Sequence, residues 1–170
     1  VLNYTFESGA FSYFFIGGSS NEEILNQYTQ LTGRQPLPPR WALGYIQSKY
    51  GYQNETEARS IVSQMQSKNF PMDALVLDLY WFGSPSTMGN LDWDYSKWQQ
   101  PVDMMHDFDS LGIKTILITE PYITLNSSNY STANSNGYLA TDVNGNEFVI
   151  GNFWAGSAGL LDMFSAESQN

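Results

Sequence analysis

Two acidic residues stand where acids are costly. Asp78 is the one charge in the apolar run Ala74-Leu-Val-Leu-Asp-Leu79, and Glu120 directly follows a second such run, Lys114-Thr-Ile-Leu-Ile-Thr119. An unpaired carboxylate inside a packed strand is strongly disfavoured, so Asp78 must be hydrogen-bonded in place or face a polar cleft. The matching position of Glu120 favours a shared cleft, suited to ligand binding or acid–base work, over structural pairing with a neighbouring Arg or backbone donor. Aromatic residues crowd the same places: Tyr80, Trp81 and Phe82 follow Asp78, Tyr122 follows Glu120, and Phe153-Trp154 lies further on. Carboxylates hold hydroxyl groups, and ring faces stack on the C–H faces of pyranoses, so this set suits a neutral sugar. Trp81 and Phe82 fit either the core or such a site, because large rings also fill cores. Trp154, in a loop rich in Gly and Asn, reads as part of the site.

Other chemistries find little support. The chain has no Cys and a single His, so cysteine nucleophiles and thiolate metal sites are excluded and a Ser/His/Asp triad has little to build on. His106 falls on the polar face of an amphipathic segment and reads as a surface residue. No metal-ligand spacing occurs, and Asp92-Trp93-Asp94 lacks the EF-hand pattern, so it reads as a turn with local Asp caps. No glycine-rich phosphate loop follows any strand. Gly17-Gly18-Ser19-Ser20 is read as a turn and helix cap rather than an anion site. With 7 Lys and Arg against 17 Asp and Glu among 170 residues, a net charge of −10 offers no basic face to nucleic acid. No apolar run approaches the roughly 20 residues of a membrane helix, so no membrane partner is expected.

The elements that must position these residues form a repeating pattern. Phe11 to Ile16 reads as a strand closed by Gly17-Gly18. A helix follows, with Ser20 and Glu23 as a capping box, Ile24, Leu25, Tyr28 and Leu31 as its stripe, and Gly33 as its stop. Pro36, Pro38 and Pro39 make 34–40 an extended connector. Strands are then expected at 42–47, 74–79 and 114–119. The helices between them are 54–68, with Ala58, Ile61, Val62 and Met65 facing inward, and 101–111, with Pro101 at N1 and Met104, Met105, Phe108 and Leu111 buried. This βα alternation predicts an α/β fold with a parallel sheet, doubly wound or closed into a barrel, whose active face lies at the C-terminal ends of the strands. A complete (β/α)8 barrel needs about 250 residues, so a barrel here is an incomplete one. Residues 121–170 read as a long excursion, with Asn144-Gly145 as a hairpin turn.

An ordered series of motifs resembles glycoside hydrolase family 31, which contains α-glucosidases, α-xylosidases and α-glucosyltransferases. The series runs from Tyr28-Thr-Gln-Leu-Thr-Gly-Arg-Gln-Pro-Leu-Pro-Pro-Arg-Trp-Ala-Leu-Gly-Tyr45 through Gln47-Ser48, Tyr50-Gly51-Tyr52, Leu77-Asp78-Leu79 and Leu91-Asp92-Trp93-Asp94. It continues with Gly112-Ile-Lys, Glu120-Pro121, Trp154-Ala-Gly and Leu161-Asp162. The resemblance implies the N-terminal portion of a (β/α)8 TIM barrel preceded by the last strands of a β-sandwich. Residues 1–19 would end that sandwich, 20–40 would be the helix and Pro-rich connector, and 41–170 the first βα units of the catalytic barrel. The implied substrate is an α-linked oligosaccharide, cleaved with retention by two carboxylates about 5–5.5 Å apart, with neither metal nor organic cofactor. Asp78 is similar to the family's Asp that binds sugar hydroxyls in the −1 subsite and Leu79 to the apolar residue beside it, while Ile118 and Trp154 match positions lining that pocket. With Trp81 and Glu120 these are the expected substrate-binding residues.

Two departures from the common family pattern stand out. Tyr80 occupies the place where many members carry a second acid, and Glu120 the place where many carry Asp before the proline. Both look more like a bacterial branch that includes 4-α-glucosyltransferases. The family's nucleophile and acid/base motifs lie beyond the segment matching Leu161-Asp162, so no catalytic residue is expected among these 170. The remainder of the barrel, in cis or as another chain, is therefore an expected partner, and this segment alone is expected to be inactive.

Overall fold

The structure, a computed structural model, describes residues 3–5 and 9–169. The chain divides into two compact units, Val1–Pro38 and Pro39–Asn170. In the first unit, helix α1 spans Asn21–Thr32. The Ser20 hydroxyl accepts from the Glu23 N–H at 3.2 Å, as the sequence predicts, but the Glu23 carboxylate returns to the N–H and hydroxyl of Ser19, at 2.8 and 2.7 Å. The reciprocal half of the capping box is thus made one residue earlier. Gly33 closes the helix at a φ of 91°, a backbone region that favours glycine. None of the α1 residues is buried, so the predicted stripe stays exposed.

The strand expected over 11–16 is not formed, and its aromatic side chains are exposed, Phe15 to 91%. A strand exists only through a neighbouring strand that pairs with it in a ladder, and these residues join no ladder among the described ones. Residues 1–2 and 6–8 of the expected sandwich end lie outside the described residues.

The second unit carries a three-stranded parallel sheet in the order β1-β2-β3, with β1 at Ile46–Gln47, β2 at Ala74–Leu77 and β3 at Lys114–Leu117. Ile46 pairs with Ala74 and Leu77 with Leu117. All three strands are shorter than expected. Arg40–Leu43 coils into a 3-10 turn, leaving only the last two residues of the predicted 42–47 strand to pair. Asp78 and Leu79 leave the ladder because the Asp78 carbonyl accepts the N–H groups of Tyr80 and Trp81, at 2.5 and 3.3 Å, and turns the chain. The acid therefore sits just past the strand rather than inside it.

Helix α2, Glu55–Ser67, starts where Asn54 accepts the Glu57 N–H at 2.9 Å, and α3, Pro101–Ser110, starts with Pro at N1. Ala58 and Val62 of α2 and Pro101, Met104 and Phe108 of α3 are buried. Leu75 and Leu77 of β2 share one core with Val62, Met104 and Phe108. Leu111 caps α3 and is half-exposed rather than buried. Arg59 reaches Glu55 at 2.7 Å and Asp107 at 2.6 Å, tying α2 to α3 side by side.

Residues after 121 add a three-stranded antiparallel sheet, order β4-β6-β5, from Tyr122–Thr124 (β4), Val149–Ile150 (β5) and Ala158–Leu160 (β6). The short helix α4, Tyr130–Ser135, lies between β4 and β5. The expected turn at Asn144-Gly145 is present, closed by the Gly145 N–H on the Asp142 carbonyl at 3.0 Å and by a bridge of Thr141 to Glu147. The described residues form no closed barrel, and among them no helix is long and apolar enough to cross a membrane.

Candidate active site

The parallel strands deliver their chemistry at their C-terminal ends. Asp78 leaves β2 and Ile118 leaves β3 side by side, and the Ile118 N–H extends the ladder to the Leu77 carbonyl at 3.0 Å. The Asp78 carboxylate accepts the N–H of Leu79 at 2.8 Å, which fixes one oxygen through the backbone. Trp81 turns back beneath this end, and its indole N–H donates to the Ile118 carbonyl at 2.8 Å. Its ring meets Phe82 and Trp93 edge-on, at 5.2 and 5.4 Å between centroids. Leu79, Trp81 and Phe82 are all buried in the core.

The loop after β1 brings a residue that sequence reasoning did not assign. Tyr52 is buried and its hydroxyl accepts from the Gln47 amide at 2.9 Å, so it anchors the loop. Tyr50 stays exposed and meets the Tyr80 ring edge-on at 5.7 Å. Its phenol is held above the ordinary value by hydrogen bonding to Tyr80, by loss of water, and by the negative charges of Tyr80, Asp78 and Glu120. Tyr50, Tyr80, Asp78 and Glu120 therefore form one electrostatic neighbourhood. The signal available in the sequence was Tyr50-Gly51-Tyr52, an aromatic pair around a glycine at the end of the first strand.

Neither acid is neutralised. Among the described residues, the ion pairs are Lys49 with Glu57, Arg59 with Glu55 and Asp107, Lys97 with Asp94, and Lys114 with Asp109. Asp78 and Glu120, both half-buried, take part in none of them. Trp154 is 55% exposed, with Phe153 as its ring neighbour at 5.7 Å, and Phe153 packs at 4.5 Å on Tyr122 just past Glu120. His106 is exposed on α3. Asp92 and Asp94 serve their own turn, on the N–H groups of Trp93 and Ser96. No group of three or more His, Cys, Asp or Glu converges among the described residues as a metal site would.

A parallel βα sheet that presents unpaired acids and aromatic rings at its C-terminal ends has the working layout of a β/α-barrel enzyme. Residues 35–170 match the TIM-barrel domain of the glycosyl hydrolases family 31, and the chain belongs to that family. It is 30% identical over 161 residues to alpha-glucosidase 2 of Bacillus thermoamyloliquefaciens, which covers 94% of this chain and 20% of the relative. An alpha-xylosidase of Lactiplantibacillus pentosus is 29% identical over 164 residues, covering 95% and 21%. Among solved structures, a family 31 dextranase of Flavobacterium johnsoniae, complexed with glucose, superposes with a TM-score of 0.80. Its sequence identity is 30%, over 88% of this chain and 18% of the dextranase chain. The chain thus spans about a fifth of the length of the curated relatives it matches.

Proposed function

We propose that these residues are part of a retaining α-glycosidase that removes terminal α-linked glucose from oligosaccharides, and that they build the wall that holds the donor sugar. The observation that carries this reading is the pair of cation-free acids at adjacent parallel strand ends, Asp78 past β2 and Glu120 past β3, flanked by Tyr50 and Tyr80. An ionised carboxylate without a cation partner keeps its oxygens for neutral donors, and a hydrogen bond from a sugar hydroxyl to it contributes about 1.5–3 kcal/mol. Asp78 takes the hydroxyls of the bound sugar, Ile118 and Glu120 line the adjoining side, and the exposed Trp154 offers its ring face. Leu79 and Trp81 act from below, holding Asp78 and Ile118 in place. The nucleophile and the acid/base come from the remaining strands of the barrel, in cis or from another chain, and no residue of this segment is assigned a catalytic role. Residues 1–19 form the end of a preceding β-sandwich.

The test is incubation of the full-length protein with maltotetraose, with products resolved by chain length. Glucose and maltotriose alone make it a hydrolase. Longer and shorter oligomers together make it a glucosyltransferase, in keeping with Tyr80 and Glu120. Preferential turnover of an α-xyloside assigns it instead to xylose, since only pocket volume decides whether the glucose hydroxymethyl group fits. Asp78→Asn is expected to lower kcat/KM by about ten- to a hundredfold, the range that loss of a charged hydrogen-bond acceptor converts to. No turnover of any α-glucoside or α-xyloside would remove the proposal.

A further inference from the structure

Tyr80 is half-buried, and both polar groups of its backbone are engaged. Its carbonyl accepts the indole N–H of the fully buried Trp98 at 3.0 Å, and its own N–H is fixed on the Asp78 carbonyl at 2.5 Å. Its ring lies on the bare backbone of Gly51. A side chain at 51 would begin 2.4 Å from Tyr80 Cδ2 and 2.9 Å from Cε2, closer than atoms pack, so this seat exists only because residue 51 has no Cβ. On the far side of that seat the ring meets the edge of Tyr50, at 5.7 Å and an interplanar angle of 65°. Tyr50 itself is exposed, and its neighbour Tyr52 points the other way, into the core. Edge contacts of this kind are favourable beyond the area they bury and so select a ring position.

We propose that Tyr80 is a positioning residue: seated on Gly51 and anchored by Trp98, it holds Tyr50 as a fixed wall of the sugar site beside Asp78. The assignment rests on the reading of this end of the sheet as a sugar site. Tyr80 acts through Tyr50 and needs no contact with the substrate. It also explains why an aromatic residue stands two positions after Asp78: a carboxylate there would have no ring to offer Tyr50. The Tyr50 phenol stays protonated at neutral pH, so it can donate to a sugar oxygen while its ring walls the cleft.

The test is a double-mutant cycle in the full-length protein, read by steady-state kinetics on maltotetraose or, if that is not turned over, on p-nitrophenyl α-xyloside. Tyr80→Leu and Tyr50→Leu are each expected to raise KM about tenfold with kcat within twofold. The double variant should be no worse than either alone, because one ring works through the other. Tyr80→Phe, which keeps the ring edge, should recover KM to within about threefold of the unsubstituted protein. In Tyr80→Leu the absorbance titration of Tyr50 should move to lower pH. Additive effects in the cycle, an unchanged KM in Tyr80→Leu, or a fall in kcat and thermal stability without a change in KM would overturn the assignment alone, provided Asp78→Asn still lowers kcat/KM as expected. If the unsubstituted protein turns over neither substrate, the sugar-site reading fails and this assignment with it.

Discussion

The turn after β2, residues 78–82, and the loop before β6, residues 151–156, each carry a tryptophan expected at the sugar, and they use it in opposite ways. Trp81 is 5% exposed, its N–H bonded to the Ile118 carbonyl at 2.8 Å and its ring enclosed by Phe82 and Trp93. Trp154 is 55% exposed and touches Phe153. Residue type alone does not separate the two, since an indole is both a large apolar body and a ligand platform. The surroundings do. The turn after β2 follows the most deeply buried strand, all four residues of which are buried, so a ring that folds back there must enter the core. The loop before β6 has Gly151, Asn152 and Gly156 around it, side chains that bury nothing. One region therefore fixes the acid, and the other leaves a ring face exposed.

The largest expected effect tests the first half of that contrast. Trp81→Ala should lower stability by about 3–5 kcal/mol, through the cavity it opens and the Ile118 carbonyl it leaves unpaired. Urea unfolding of the full-length protein measures it. A loss below about 1 kcal/mol would mean that Trp81 is not the support under Asp78 and Ile118 that its packing describes. Trp154→Ala should do the reverse, leaving the unfolding midpoint within about 0.5 kcal/mol while raising KM for maltotetraose about tenfold. If Trp154→Ala destabilised the protein as much as Trp81→Ala, the two regions would not differ in kind.

The same division between local and distant causes marks what was legible in the sequence. Pro101 at N1 is a signal contained within one turn and α3 begins there, while α2 begins at Glu55, within one residue of the expected 54–68. The parallel pairing was also readable, because three strand-like runs alternate with amphipathic helices and the central one, β2, buried throughout, is a continuous apolar stretch. Strand ends were not, because the Asp78 carbonyl that halts β2 is engaged by a turn rather than by a neighbouring strand. The antiparallel sheet was least legible. Its central strand is Ala158-Gly159-Leu160, with no β-branched residue, and it pairs with Tyr122–Thr124 far away in sequence. Gly159 allows that pairing by admitting Leu139, whose Cδ1 would lie 2.7 Å from any Cβ there. For the candidate site, Asp78 and Glu120 were singled out from their strand ends, and Ile118 only through the family resemblance. Tyr50 was missed because its importance comes from Tyr80, thirty positions on and on another strand end. The aromatic run 11–16 shows the converse error, a strong β signal that joins no strand ladder among the described residues.

The smallest effect concerns how the buried region is clamped from outside. The Asp94 N–H donates to the Trp81 carbonyl at 2.9 Å, and the Asp94 carbonyl accepts the N–H groups of Lys97 and Trp98, both at 2.9 Å, so this residue joins the Trp81 turn to the Trp98 anchor. Its carboxylate accepts the Ser96 hydroxyl at 2.5 Å and the Ser96 N–H at 3.1 Å, and pairs with Lys97 at 3.3 Å. The Ser96 hydroxyl, more than the Lys97 charge, holds the Asp94 carboxyl below the usual range, against the opposing effect of burial. Because the folded value is the lower one, the carboxylate stabilises the fold fully above its unfolded value of about 3.9, and that contribution is lost as the pH falls through the folded value. Between about pH 5 and pH 2 the Trp81–Trp93–Trp98 cluster should therefore loosen more steeply in the unsubstituted protein than in Asp94→Asn, which has no charge to lose there. Tryptophan fluorescence of the two proteins across that range is the measurement. Parallel curves would mean that the Asp94 carboxylate contributes nothing to the clamp and that its backbone bonds alone hold the turn. A steeper fall confined to the unsubstituted protein, with sugar binding lost at the same pH, would tie the acid stability of the Trp81 turn to the acid that it supports.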